Sequence, residues 1–201
     1  MRIMVAPVFP SLIAMTQREV DSATKQNELN DSMSLEIMGN QMNDTSIEDN
    51  VLGDPRFASI RSFVQESIDT YVRDILKSPN KLGIASSWCN YAQRGDRHHQ
   101  HNHMNAYLSG VYYLTSGSTI RFLRPQLSSL MLDQTEQNPM NADVFDFEPQ
   151  QGSLILFPSY LMHQVAPHEL DEPRVSLAFN AFPAESFGWK TGFVDMKMEG
   201  Y

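Results

Sequence analysis

Hydrophobic positions recur first at helical spacing and then at strand spacing, and that change of period organises the chain. Asp54-Pro55 reads as a helix start, with Asp as N-cap and Pro at the first helical position. Phe57, Ile60, Phe63, Val64, Ile68, Tyr71, Val72 and Ile75 follow on one apolar face, and Ser78-Pro79-Asn80 ends it. Such a stripe is core packing and predicts a helix backing a sheet.

After Gly83 the pattern turns to short apolar runs and turn signals. Strands are predicted over Ile84 to Tyr91, Ala106 to Thr115, Ser118 to Leu123, Ser153 to Phe157, Leu161 to Ala166 and Arg174 to Phe182. Arg94-Gly95-Asp96 is a turn, Ser116-Gly117 a hairpin signal, and Pro158-Ser159 a further turn. Pro125 to Pro149 is polar and irregular, with a turn at Asn138-Pro139, and reads as a surface excursion. The predicted class is mainly β with flanking α: a two-sheet β-sandwich or jelly roll backed by one long helix.

The first 53 residues fit this pattern poorly. Ile3 to Ile13 reads as a strand at a sheet edge, where Pro7 and Pro10 are tolerated. Thr16 to Gly53 is rich in Asn, Asp, Ser, Gln and Met, with scattered apolar residues. It predicts at most a short helix around Gln17 to Leu29, then a loop, arm or lid from Asp31 to Gly53. Residues 1–53 are thus expected to be an N-terminal strand and irregular arm of the same domain, whose helix-plus-strand core is 54–201.

Composition narrows the class. At 201 residues one domain is expected. A net charge of -9 and a pI near 5.0 argue against general nucleic-acid or anionic-membrane binding. No run approaches the ~18–20 apolar residues of a membrane span. Pro7 and Pro10 also break the apolar opening as a signal peptide. The single cysteine, Cys89, excludes an internal disulfide framework and reads as a buried, inert thiol. A cytoplasmic protein is expected, with the oligomeric state open.

The chemistry gathers around histidine. Four of the six histidines lie within His98 to His103. On an extended strand His99, His101 and His103 share a face, and each imidazole offers a neutral nitrogen to a divalent ion. Taken alone, the cluster reads equally as a metal site or as an exposed His-rich turn. His163 lies just past the Ser153 to Phe157 run, and Arg174-Val175-Ser176 opens the last strand. Singly, His163 reads as a core histidine and Arg174 as a surface ion-pair residue beside Glu172.

The ordered combination resembles a known family. His-x-His, Leu-Ser-Gly-Val-Tyr-Tyr-Leu, Gly-Ser-Leu-Ile-Leu-Phe-Pro-Ser followed by a histidine, then Arg-x-Ser and Phe-Asn, are similar to the 2-oxoglutarate- and iron(II)-dependent dioxygenases. The nearest resemblance is to a small subfamily of bacterial and marine-phage oxygenases, itself similar to the prolyl hydroxylases. It covers Trp88 to about Pro183 and implies that the mainly β fold is a double-stranded β-helix, the jelly roll backed by one long helix. It implies iron(II), 2-oxoglutarate and O2 as cofactors, with ascorbate as a reductant, and oxidation of a C–H bond as 2-oxoglutarate is decarboxylated to succinate.

Carried over residue by residue, the resemblance implies His101 as first metal ligand and His163 as distal ligand. Arg174 matches the residue that grips the far carboxylate of 2-oxoglutarate, a task suited to its two-pronged donor. Ser176, two residues on, faces the same way. Tyr113 and, less directly, Tyr91 match tyrosines that bond the cosubstrate; either also reads as a core aromatic. The family's usual carboxylate is absent, and His103 stands in its place. Three neutral ligands leave the metal one unit more positive, and metal affinity is expected to fall as pH drops through about 6–7. His98 and His99 are less well placed, and His168 reads as exposed.

Two alternatives stay open. One is a three-histidine cupin-type dioxygenase that does not use 2-oxoglutarate; the other is a non-catalytic jelly-roll binding protein. The substrate, a protein side chain or a small molecule, is not legible.

Overall fold

Two antiparallel sheets carry the strands of this chain, whose computed structural model describes Met4 and residues 9–125 and 133–185. In chain order the elements are β1 (Ala14–Gln17), α1 (Ser22–Met33), β2 (Ile37–Asn40), β3 (Asn43–Ser46), α2 (Ala58–Thr70), β4 (Leu82–Ala92) and β5 (His98–His101). Then come β6 (Leu108–Tyr113), β7 (Ile120–Leu123), β8 (Val144–Phe147), β9 (Ser153–Pro158), β10 (His163–Val165) and β11 (Arg174–Pro183). The larger sheet runs β1-β9-β6-β11-β4-β3-β2 and the smaller β5-β10-β7-β8. From β4 to β11 the chain passes repeatedly between the two sheets.

Two cores result from the alternation of side chains along the strands. Leu177 and Phe179 of β11, Tyr112 of β6 and Leu154 of β9 face outward and pack with Phe57, Ile60, Val64 and Ile68 of the α2 region. Tyr113, Ile155 and Phe157 face the other way and pack with Ile120 and Phe122 of the small sheet. At Gly110 the strands close in so tightly that a Cβ would fall 2.8 Å from the Ile155 carbonyl oxygen.

The helix predicted from Asp54 is present, with refinements at its ends. Asp54 accepts from the Arg56 N–H and caps a 3-10 turn, Pro55–Phe57, that runs into α2. A π turn, Tyr71–Ile75, closes it, and Ile75 is exposed instead of joining the apolar face. Extra residues in a π turn rotate the helical face, which the simple period does not anticipate.

Several expectations need correction. The short helix expected around Gln17 to Leu29 is shifted to α1, Ser22–Met33, with Asp21 as its N-cap. Asp31 to Gly53 is neither arm nor lid: β2 and β3 form a hairpin on the β4 edge of the large sheet. That edge is held by polar groups, with Thr45 Oγ1 donating to the Cys89 carbonyl and the Cys89 N–H donating to Ser46 Oγ. The edge strand predicted over Ile3 to Ile13 falls partly outside the described residues; the observed edge strand is β1, paired with β9. Ser116-Gly117 makes no hairpin, because β6 and β7 lie in different sheets and the turn carries the chain between them. The excursion from Pro125 to Pro149 includes β8, tied to β7 by a double hydrogen bond from Arg121 to Asp146.

Cys89 is a free, fully buried thiol, and burial pushes its pKa up to about 12. Among the described residues no helix is long and apolar enough to cross a membrane.

Candidate active site

The site lies where the two sheets face one another, and its parts arrive on different strands. His163 opens β10 directly opposite His101, the last residue of β5, with Phe122 of β7 on its other side. His103 lies two residues beyond the end of β5, and its backbone N–H donates to the Ser159 carbonyl at 2.8 Å. This bond turns the chain so that His103 joins the pair. Ring centroids are 4.3 Å apart for His101 and His163, and 5.2 Å apart both for His103 and His163 and for His101 and His103. One ligand nitrogen from each of the three lies within 4.8 Å of the others.

The hydrogen bonds of these rings fix which nitrogen is free. His163 Nδ1 lies 2.9 Å from the Leu161 carbonyl, and His101 Nδ1 lies 2.8 Å from the His99 carbonyl. His103 Nδ1 is 2.6 Å from Asn180 Oδ1. A carbonyl oxygen only accepts, so each Nδ1 must carry the proton, and each Nε2 keeps its lone pair. That tautomer suits a metal ligand. Burial keeps the rings neutral: His163 is pushed down to about 3, chiefly by desolvation and then by His101. Desolvation also lowers His101 and His103.

His98 sits closer to the site than its sequence position promised. Its Nδ1 lies 3.2 Å from His101 Nδ1, so it accepts from the proton that His101 also shares with the His99 carbonyl. Burial, followed by the charges of His101, His99 and Arg174, lowers its pKa to about 4. His99 is exposed and stacks on His98.

Arg174 opens β11 on the face that also carries Ser176 and Asn180. It is only 3% exposed, and its Nε has no hydrogen-bond partner. No carboxylate pairs with it among the described residues, Glu172 included. Desolvation lowers its pKa, with the Tyr113 hydroxyl acting the other way. Tyr113 is buried across the strand pair from Ser176, and burial raises its pKa. An unpaired guanidinium held from water is costly unless an anion meets it.

Two expectations fail here for a geometric reason. Tyr91 is paired with Val175, so it faces the helix side of the sheet, opposite to Arg174 and Ser176. Its hydroxyl donates to the Ser32 carbonyl at 2.6 Å, making it a core residue that pins α1. His168 is buried, not exposed: its ring bonds Ser118 Oγ and the Glu172 carbonyl, tying loops together. Sequence reading gave no role to Ser109 and Asn180, which meet His103. The Phe-Asn pair that ends the family-like motif was the available signal. A cleft of about 400 Å³ adjoins His103, lined by Tyr71, Met104, Tyr107, Pro158 and Tyr160 among others, with no charged side chain.

A family model described as "Putative 2OG-Fe(II) oxygenase" matches residues 86–180, which span β5 to β10 and most of β4 and β11. No curated protein matches the sequence. Solved structures do. The chain is similar to HygX from Streptomyces hygroscopicus with nickel and 2-oxoglutarate bound, at 12% identity over 90% of this chain and 86% of that one, with a TM-score of 0.65. It is similar to a Pseudomonas putida prolyl-4-hydroxylase at 13% identity, over 87% of this chain and 94% of that one, TM-score 0.59. The alpha ketoglutarate dependent epimerase SnoN from nogalamycin biosynthesis is 14% identical over 87% of this chain and 80% of its own, TM-score 0.65.

Proposed function

We propose that this chain, which belongs through residues 86–180 to the 2-oxoglutarate- and iron(II)-dependent oxygenases, hydroxylates a C–H bond of its substrate. The observation that carries the reading is the pairing of two features between the same sheets. Three histidines converge with their Nε2 lone pairs free, and the buried Arg174 pairs with no carboxylate among the described residues. A metal suits the first and a carboxylate the second. The β4–β11 strands, in the interleaved orders β9-β6-β11-β4 and β5-β10-β7-β8, are read as a double-stranded β-helix.

In this reading His101, His103 and His163 hold iron(II), Arg174 grips the far carboxylate of 2-oxoglutarate, and Ser176 and Tyr113 donate beside it. When bound, the iron and 2-oxoglutarate supply the oxidising chemistry, with succinate as the spent cosubstrate. The protein's own part is positional. The Leu161, His99 and Asn180 acceptors hold the three rings in one tautomer, and Phe122 and Phe157 exclude water from His163. Neutral ligands leave the metal's charge uncompensated, so a dianionic cosubstrate offsets both the metal and Arg174. The uncharged cleft beside His103 receives the substrate group, a protein side chain or a small molecule of largely apolar character. The buried free thiol of Cys89 favours the cytoplasm as its compartment.

The test is an anaerobic titration of the protein with iron(II) and then 2-oxoglutarate. A visible metal-to-ligand charge-transfer band that grows with 2-oxoglutarate is expected. Iron binding with no such band overturns the 2-oxoglutarate reading and leaves the three-histidine dioxygenase, against which unpaired Arg174 now weighs.

A further inference from the structure

Asn180 lies on β11 six residues beyond Arg174, on the same face, where the strand is bulged between Asn180 and Ala181. Its side chain is the hub of a small polar network. His103 Nδ1 lies 2.6 Å from Asn180 Oδ1, and Ser109 Oγ donates to the same oxygen at 2.8 Å. The amide nitrogen of Asn180 reaches Ser86 Oγ at 3.4 Å. Trp88 and Phe157 pack against the His103 ring, at 5.9 and 6.4 Å between centroids.

The other two histidines of the cluster are oriented by backbone carbonyls close to them in sequence, Leu161 and His99. His103 alone among the three takes its acceptor from a side chain, and from a distant strand. Ser109 Oγ also lies 3.2 Å from His103 Nδ1, but a hydroxyl can donate or accept and so fixes no tautomer. The amide oxygen can only accept. It therefore forces the proton onto Nδ1 and frees Nε2.

We propose that Asn180 is a positioning residue that holds His103 as the Nδ1–H tautomer and aims its Nε2 at the metal. This rests on the oxygenase reading for the metal, but not for the tautomer, which belongs to the protein without it. The device explains how a histidine serves where the family has a carboxylate. A carboxylate can present either oxygen, whereas imidazole ligates correctly only when its far nitrogen is protonated and bonded. A neutral amide performs this orientation without adding a buried charge.

The experiment uses the full chain in two states. In 15N-labelled, metal-free protein, long-range proton–nitrogen correlation spectra report the His103 tautomer, and cobalt(II) titration reports metal affinity. The parent is expected to show Nδ1–H at His103. Asn180→Ala should move His103 to a mixture containing Nε2–H and weaken cobalt(II) binding by roughly 10–100-fold. Asn180→Asp keeps the acceptor and the shape, so it should retain the tautomer and bind cobalt(II) at least as tightly as the parent.

A general packing role would weaken Asn180→Ala without changing the tautomer, and that result overturns the proposal. Loss of the Nδ1–H tautomer in Asn180→Asp also overturns it. A parent that shows the tautomer but binds no metal would instead count against the oxygenase reading, leaving the Asn180–His103 relation standing.

Discussion

His101 and His163 are direct cross-strand partners between β5 and β10, with ring centroids 4.3 Å apart. They are distant in sequence, and their meeting is a property of strand register. A slip of one residue would turn one ring to the opposite face and dissolve the cluster. His103 completes it from beyond the strand end, held by a backbone bond to Ser159.

Substitution at His103 separates a ligand from a bystander. His103→Ala is expected to lose iron(II) affinity by at least tenfold. His103→Asp, which restores the family's usual carboxylate, should keep the metal. Isothermal titration of both variants against the parent checks this, and a His103→Ala protein with parental affinity removes His103 from the ligand set.

Arg174 carries opposite expectations with and without cosubstrate. Arg174→Met should raise the 2-oxoglutarate dissociation constant by well over an order of magnitude, since losing one partner of a buried charged pair costs ~2–5 kcal/mol. Iron affinity should change little. Without ligands the same variant should melt no lower than the parent, and higher if removal of the unpaired buried charge contributes on the order of 1–3 kcal/mol. Calorimetry and cosubstrate titration read the two effects separately.

The pH dependence follows from the neutral histidines. Folded-state pKa values of about 3 for His163 and about 4 for His98 lie below the ordinary 6.5 of an unfolded chain. The unfolded chain therefore binds protons first as pH falls. Stability should be full above about pH 6.5 and decline progressively towards pH 3–4. Thermal melts of the metal-free protein across this window check the slope. Metal retention should extend below the pH 6–7 expected of free imidazoles, because protons compete poorly for these rings.

Tyr91→Phe tests the two sides of the sheet. It deletes the bond to the Ser32 carbonyl and should cost about 1 kcal/mol of stability. Affinity for 2-oxoglutarate should be unchanged. A cosubstrate defect matching that of a Tyr113→Phe variant would contradict the assignment of Tyr91 to the helix side.

The α2 stripe and most strands of the core were legible because burial against one partner leaves a period in the sequence: Phe57, Ile60, Val64 and Ile68 all face one sheet. His101 and His103 stood out as candidates because a two-residue offset is local, whereas His163 and Arg174, singly a core histidine and a surface ion-pair residue, were picked out only by the ordered motifs that resemble the family. What the sequence did not reveal depends on polar groups that satisfy one another across the fold. The bounds and anchoring of helix α1 are of this kind: it has no apolar stripe and is held by Glu28 bonding Arg18 and by the Ser32 carbonyl accepting from Tyr91. The β2–β3 hairpin is likewise fixed by buried Thr45 and Ser46 on Cys89. Such bonds have no period, since one donor and one acceptor suffice wherever the chain brings them. The side of the sheet taken by Tyr91, the burial of His168, the isolation of Arg174 and the grip of Asn180 on His103 were decided in the same way. Each depends on which strand lies beside which, and only the tertiary structure specifies that.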